Sequence, residues 1–337
     1  MTPARRLAMV LSGFCAGLLG VGIVALFLGS ASIAPGRVVQ ALTGGDATQA
    51  ERVVIWSLRL PRIAAAVLAG GALAVAGVGF QALTRNPLAE PSVLGVSSGA
   101  AFGVVVAQLL GVSSGLGEGI RLTAFGFGGA LLAGVAVYLI ASVQGGLPVQ
   151  TLLLAGVIVG IFFASAITVL TSLIDVNRLG GIVHWLLGNV SAISPASLAI
   201  FAVVAGVGFM LILTQARQLN LLALGEETAF QLGINAERLK LRVFTGAALL
   251  TATVVAFAGP IGFVGLVVPH ILRLLLGPDN RLLVPVALVG GGIFLLVADT
   301  VARNVIAPAE LSVGVLTSFC GAPVFIYLLR ARYRSVS

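Results

Sequence analysis

The chain has 337 residues, 59% of them hydrophobic and only 9% charged, with a formal net charge of +8. A water-soluble domain carries roughly a quarter of its residues as charged groups, so this composition excludes one and describes an integral membrane protein. The basic residues are dispersed over loop ends instead of gathering on one soluble face, which leaves no nucleic-acid surface and makes membrane topology their explanation.

Apolar windows of about the length that crosses the hydrocarbon core as helix fall at 7–29, 61–81, 93–112, 122–143, 150–174, 196–216, 243–258, 261–276, 282–301 and 311–329. These runs are continuous, which excludes the alternating strands of a membrane β-barrel. The predicted fold is an all-α integral membrane protein of about ten transmembrane helices, with residues 1–337 forming one transmembrane domain. The first window is too long for the apolar core of a signal peptide, about 7–15 residues, and reads as a retained helix. Arg5 and Arg6 at one end and Arg330, Arg332 and Arg334 at the other place both termini in the cytoplasm under the positive-inside rule. Ten spans then gather twelve basic residues inside and leave seven arginines outside.

In chain order, the outward segment 30–58 holds Pro35, Gly44, Gly45 and an apolar-polar run ending near Trp56, the pattern of a short interfacial helix. Arg59 and Arg62 bracket Pro61 at the outer start of the second span. Arg303 sits at the outer end of the ninth, with Asp299 one turn earlier on the same face. Exposed guanidinium groups on rigid helix ends suit the carboxylates of a partner protein, and anchoring at the membrane surface is the other reading. Glycines at four-residue spacing, Gly95, Gly99 and Gly103, then Gly156 and Gly160, and Gly13 and Gly17, predict close helix packing.

Ser165, Thr168, Ser172 and Asp175, with Thr171 adjacent, fall along one face of the fifth span and are a candidate pathway lining. Their hydroxyls can equally bond carbonyls of their own helix. The stretch 178–190 is too short to span and too apolar for a free loop, so it reads as a short helix at the outer mouth. His184 within it is a possible haem-iron ligand or an interfacial packing residue. The polar segment 217–235 is cytoplasmic by this topology and resembles a docking element. Glu226 and Glu227 suit the positive end of a helix dipole, and Gly233 is placed to end a short helix in the left-handed conformation.

Catalytic machinery is missing from the sequence. The single lysine, Lys240, follows a leucine, so there is no phosphate-binding loop of the Gly-x-x-x-x-Gly-Lys type, and the chain cannot burn ATP alone. His184 and His270 lie apart without a zinc-protease motif, and His270 reads as a hydrogen-bonded bundle residue or a ligand contact. Cys15 and Cys320 suggest neither disulfide nor metal and read as packing residues. An ion-coupled secondary transporter is the rival class. It needs ionisable groups near the midplane, whereas Glu90, Asp175, Asp299 and Glu310 are placed near span ends.

Arg59-Leu-Pro-Arg62, Asn86-Pro-Leu-Ala-Glu-Pro91, Leu94-Gly-Val-Ser-Ser-Gly99, Gly259-Pro-Ile-Gly-Phe-Val-Gly-Leu-Val-Val-Pro-His-Ile-Leu-Arg273 and Gly321-Ala-Pro-Val-Phe325 together resemble the permease subunits of bacterial ATP-driven importers for iron chelates, haem and cobalamin. The resemblance runs from Arg59 to Leu329 and implies the type II ABC importer permease fold, in the bacterial inner membrane. It implies a second permease copy, in a homodimer or heterodimer, with the path along the interface. Two ATPase subunits that bind ATP and Mg would sit inside, and a periplasmic or lipid-anchored binding protein outside, with no cofactor or metal held by this chain. By position, Arg59, Arg62 and Arg303 resemble residues that receive glutamates of the binding protein. Leu224, Gly225, Glu226, Glu227, Ala229, Phe230, Leu232 and Gly233 fall in the string that resembles coupling helices seated in the ATPases. The fifth span (Ser165, Thr168, Thr171, Ser172, Asp175) and the 178–190 segment with His184 resemble elements that line and gate the pathway.

Overall fold

A computed structural model describes residues 2–112, 118–142, 146–173, 176–306 and 309–334, which form helices and connecting turns. Among the described residues, seven helices are long and apolar enough to cross a membrane: α1 (Pro3–Phe27), α4 (Leu60–Thr84, continuous with the segment from Gln49), α6 (Glu118–Ala141), α7 (Val149–Ser172), α9 (Pro195–Leu213), α12 (Ala236–Ala258) and α14 (Asn280–Asn304). Two shorter apolar helices, α5 (Val96–Leu109) and α13 (Val264–Leu276), together with α15 (Val313–Arg334), account for the other predicted windows. The remaining helices are α2 (Pro35–Thr43), α3 (Gln49–Val53), α8 (Val176–Leu186), α10 (Ala216–Leu222) and α11 (Glu226–Gln231). The protein is therefore all-helical and multi-pass.

The centre of the bundle is α4, enclosed by α9, α12, α13 and α14 and buried along most of its length. Its composition explains the position: Gly70, Gly71 and Gly77 leave no side chain on faces where other backbones press in. A Cβ at Gly70 would overlap the Gly291 carbonyl of α14, one at Gly291 would overlap that of Gly70, and one at Gly77 would overlap Gly265 of α13. With no hydrophobic drive between helices in lipid, such close backbone approach supplies the van der Waals contact that holds them. The predicted stripe on α5 works the same way: Gly99 and Gly103 press on Gly129 and Phe125 of α6, and Gly95 meets Gly156 of α7. Gly13 and Gly17 do not, since nothing lies within 4 Å of a Cβ at Gly13 and only Ile293, at 3.7 Å, near one at Gly17. Cys15 and Cys320 are free and exposed, which removes the packing role expected of them.

Two spans are shorter than their hydropathy windows because the chain turns back at depth. Pro91 and Gly95 (φ +73°) delay the start of α5, and Gly259 with the left-handed Phe263 (φ +67°) delays α13. Pro91 packs on Gly265, itself against Gly77, seven residues before the end of α4 or about 10 Å inward along the helix. Glu90, placed near a span end by sequence, lies beside this inward turn, and its Oε1 accepts the Phe263 N–H at 2.7 Å.

Candidate functional site

At the predicted outer end, the three arginines converge but are not exposed. Arg59 is 4% exposed and Arg303 3%, and the Arg62 side chain only 13%. Arg59 turns into the bundle and donates to the Leu26 carbonyl at 2.7 Å and to the Ala31 carbonyl, a cation at the C-terminal end of α1 where the helix dipole favours it. Gly29 permits this path, since a Cβ there would stand 2.9 Å from the guanidinium. Arg62 donates to both oxygens of Asp299, the shortest of these bonds 3.0 Å, and to Glu310 Oε2 at 2.7 Å. Arg303 Nε lies 3.1 Å from Asp299 Oδ2 across one helical turn.

Asp299 is wholly buried and serves both arginines. The expectation of free guanidinium groups on helix ends is thus corrected: Arg62 and Arg303 are engaged by the chain's own carboxylates because α4 and α14 pack tightly enough to bring Asp299 between them. Glu310 also accepts from Ser30 at 2.8 Å, so the cluster ties α1's exit, α4, α14 and the loop before α15. Partial burial raises the Glu310 carboxyl, but the hydrogen bonds of Arg62 and Ser30 and the charges of Arg62 and Arg303 outweigh it and hold the group below its ordinary value.

At the opposite end, α10 and α11 form the predicted docking segment. Gly225 (φ +116°) precedes α11 and Gly233 (φ +81°) follows it, the latter in the left-handed conformation expected. Of the six residues in α11 only Ala229 is buried. Leu224, Phe230 and Leu232 are 64%, 75% and 57% exposed, an apolar surface outside the bundle. Beneath it Lys240 reaches Glu226 and Glu237, each at 2.9 Å, and Arg85 lies 3.6 Å from Glu226. Nearby, Asp279 caps α14 and accepts from Asn220 at 2.6 Å. Hydrogen bonds from Arg281, opposed by partial burial and assisted by Asn220, lower its carboxyl to about 2.

On α7, Ser165, Thr168 and Ser172 are exposed and Thr171 is half-buried. Thr168, Thr171 and Ser172 donate to carbonyls of Ala164, Ile167 and Val169, their own helix, so these hydroxyls are already satisfied as the second reading allowed. The same face carries exposed Ile158, Ile161, Phe162 and Val169. Asp175 lies outside the described residues. His184 is exposed on α8 with Asn189 at 3.4 Å, while Trp185 packs partly into the core. No group of three His, Cys, Asp or Glu that could hold a metal occurs among the described residues.

The structure closely follows that of a metal-chelate type ABC transporter in an inward-facing conformation, with a TM-score of 0.83 at 30% identity over 96% of this chain and 99% of that one. Residues 17–331 match the FecCD transport family. The chain belongs to the FecCD transport family. Similar FecCD-related proteins include an ABC transporter permease protein of Methanocaldococcus jannaschii, 40% identical over 93% of this chain and 92% of that protein. The cobalamin import system permease protein BtuC of Halobacterium salinarum is 42% identical over 83% of this chain and 74% of its own length. The hemin transport system permease protein HmuU of Yersinia pestis is 38% identical over 93% and 94%.

Sequence reasoning had missed two residues that this FecCD chain uses. Glu90 accepts the N–H of Phe263, the residue just before α13, and the signal was available in Pro87 and Pro91 around it, which bias the chain away from a simple helical start. Lys240 was read only as the lone lysine, and its position three residues after Glu237 was the clue to an ion pair.

Proposed function

We propose that this chain is the membrane permease subunit of an ATP-driven importer that carries an iron chelate, haem or cobalamin into the cytoplasm by alternating access, with both termini and α11 on the cytoplasmic side of the inner membrane. The observation that carries the reading is α11. A six-residue helix with one buried residue contributes little to its own bundle, yet it is held by ion pairs while presenting Leu224, Phe230 and Leu232 outward. Such an apolar patch on a polar end of a membrane protein suits a soluble partner, and the sequence has no phosphate-binding loop, so the nucleotide and its Mg belong to that partner. Two ATPase subunits then serve two copies of this chain, with the exposed faces of α7 bordering the path between them. A path without charged side chains on its described part of α7 suits a carrier that must release what it accepts.

The outer cluster receives the loaded binding protein. Because Arg62 and Arg303 are already paired, a glutamate of the binding protein gains Arg62 by sharing or replacing Glu310, the most exposed member of the cluster. Cargo selection rests with that binding protein. The reading is tested by reconstituting the chain with its ATPase and adding binding protein loaded in turn with a ferric siderophore, haem or cobalamin. One loaded form is expected to accelerate ATP hydrolysis and to deliver its cargo. Acceleration by none of them, with intact complexes, contradicts the import role.

A further inference from the structure

The one lysine of the chain is buried, its side chain 4% exposed, at the meeting point of four elements. Its Nζ donates to Glu226 Oε2 at the first residue of α11 and to Glu237 Oε1 in the first turn of α12, both at 2.9 Å. The second oxygen of Glu226 faces Arg85 at the end of α4, at 3.6 Å. The second oxygen of Glu237 accepts the N–H of Leu147, two residues before α7 begins. Leu147 is itself buried, so the bond leads into the body of the protein.

We propose that Lys240 is a positioning residue that ties the displacement of α11 to α12, to α4 and, through Glu237 and Leu147, to the foot of α7. The proposal rests on the reading of α11 as the ATPase-docking helix. Carboxylates in first turns are favoured by the helix dipole without any lysine, so helix formation alone does not require Glu226 and Glu237 to converge on one ammonium group. Nor does apolar packing hold α11, which buries only Ala229. A buried ammonium is costly to leave without its partners, so a pull on Glu226 must carry Lys240 and Glu237 with it. The two carboxylates are themselves 40% and 41% exposed, so it is the buried lysine that both must follow, whereas a pair exposed on both sides would give way. The same chain of contacts ends at α7, whose open face carries Ser165, Thr168 and Ser172.

The test is made on the full complex in proteoliposomes, comparing wild type with Lys240→Gln and Lys240→Arg. Lys240→Gln is expected to co-purify with its ATPase subunits and hydrolyse ATP, while cargo moved per ATP falls by about fivefold or more. Lys240→Arg, which keeps the charge that Glu226 and Glu237 share, is expected to recover part of that ratio, whereas a purely structural role would lower complex yield and ATP hydrolysis and leave the ratio itself unchanged. A normal cargo-to-ATP ratio in Lys240→Gln overturns the proposal, as does loss of the ATPase subunits from the purified variant. If the wild-type chain itself retains no ATPase, the functional reading fails first, and the two failures are told apart by that control.

Discussion

The two ends of the molecule handle charge in opposite ways. At the α2–α3 end, arginines are drawn inward and paired: Arg59 with carbonyls at and just beyond the end of α1, Arg62 and Arg303 with Asp299, with Glu310 closing the cluster. At the α11 end, partly exposed Glu226 and Glu237 meet on the buried Lys240, and beyond them stands an apolar surface, Phe230 above all. One end is built to exchange ion pairs, the other to offer a hydrophobic contact on an ionic strut. The difference teaches that arginines placed at a helix end by sequence need not be free, because a buried carboxylate on a neighbouring helix claims them first.

The largest effect is expected where the comparison is most extreme. Asp299→Asn leaves two buried arginines facing each other with half their compensation, and should cost about 3–5 kcal/mol, read as thermal unfolding in detergent. A loss under about 1 kcal/mol would mean that water reaches the cluster and that it is not the closed unit described. Next, Phe230→Asp should weaken ATPase association by at least about 2 kcal/mol, in the range of an interface hot spot, while the monomer's melting temperature stays put because the ring contributes nothing to the core. Co-purification at wild-type levels would remove α11 as the contact.

Glu310→Gln sharpens the comparison from the other side. Freed of its most exposed partner, Arg62 should bind the binding protein's carboxylates severalfold more tightly, on the order of 1 kcal/mol, measured by binding to nanodiscs at several salt concentrations. Weaker binding would show that Glu310 orients the arginine and does not compete for it. The smallest effect concerns Asp279. Its carboxyl is lowered to about 2 from an ordinary 3.8, so its stabilising contribution is complete above pH 3.8 and is lost as pH falls towards about 2. Asp279→Ala should remove this cap at a cost of roughly 1 kcal/mol at neutral pH and flatten the acid limb of the stability curve over that window.

Much of this architecture was legible in the sequence because membrane solvent imposes a simple rule on composition. All ten apolar windows became helices, and the α5 glycines and Gly233 behaved as their spacing and position implied. Burial of charge was less legible. Hydropathy sees Arg62 and Asp299 as separate residues 237 positions apart, and only the packing of α4 on α14 through Gly70 and Gly291 brings them together. Depth was misread for the same reason: Glu90 precedes a span in sequence, but a proline-pinned inward turn carries its neighbour Pro91 onto Gly265. The hydroxyl row on α7 was correctly placed on one face, while its bonding to Ala164, Ile167 and Val169 carbonyls could not be chosen from spacing alone.

The most direct test of the account is the energy source. Proteoliposomes containing this chain, its ATPase subunits and a loaded binding protein should accumulate cargo when ATP is present on the α11 side, and should not respond to a proton or sodium gradient. Uptake that needs no ATPase and follows an ion gradient would contradict the assignment of the α11 surface and the importer reading with it.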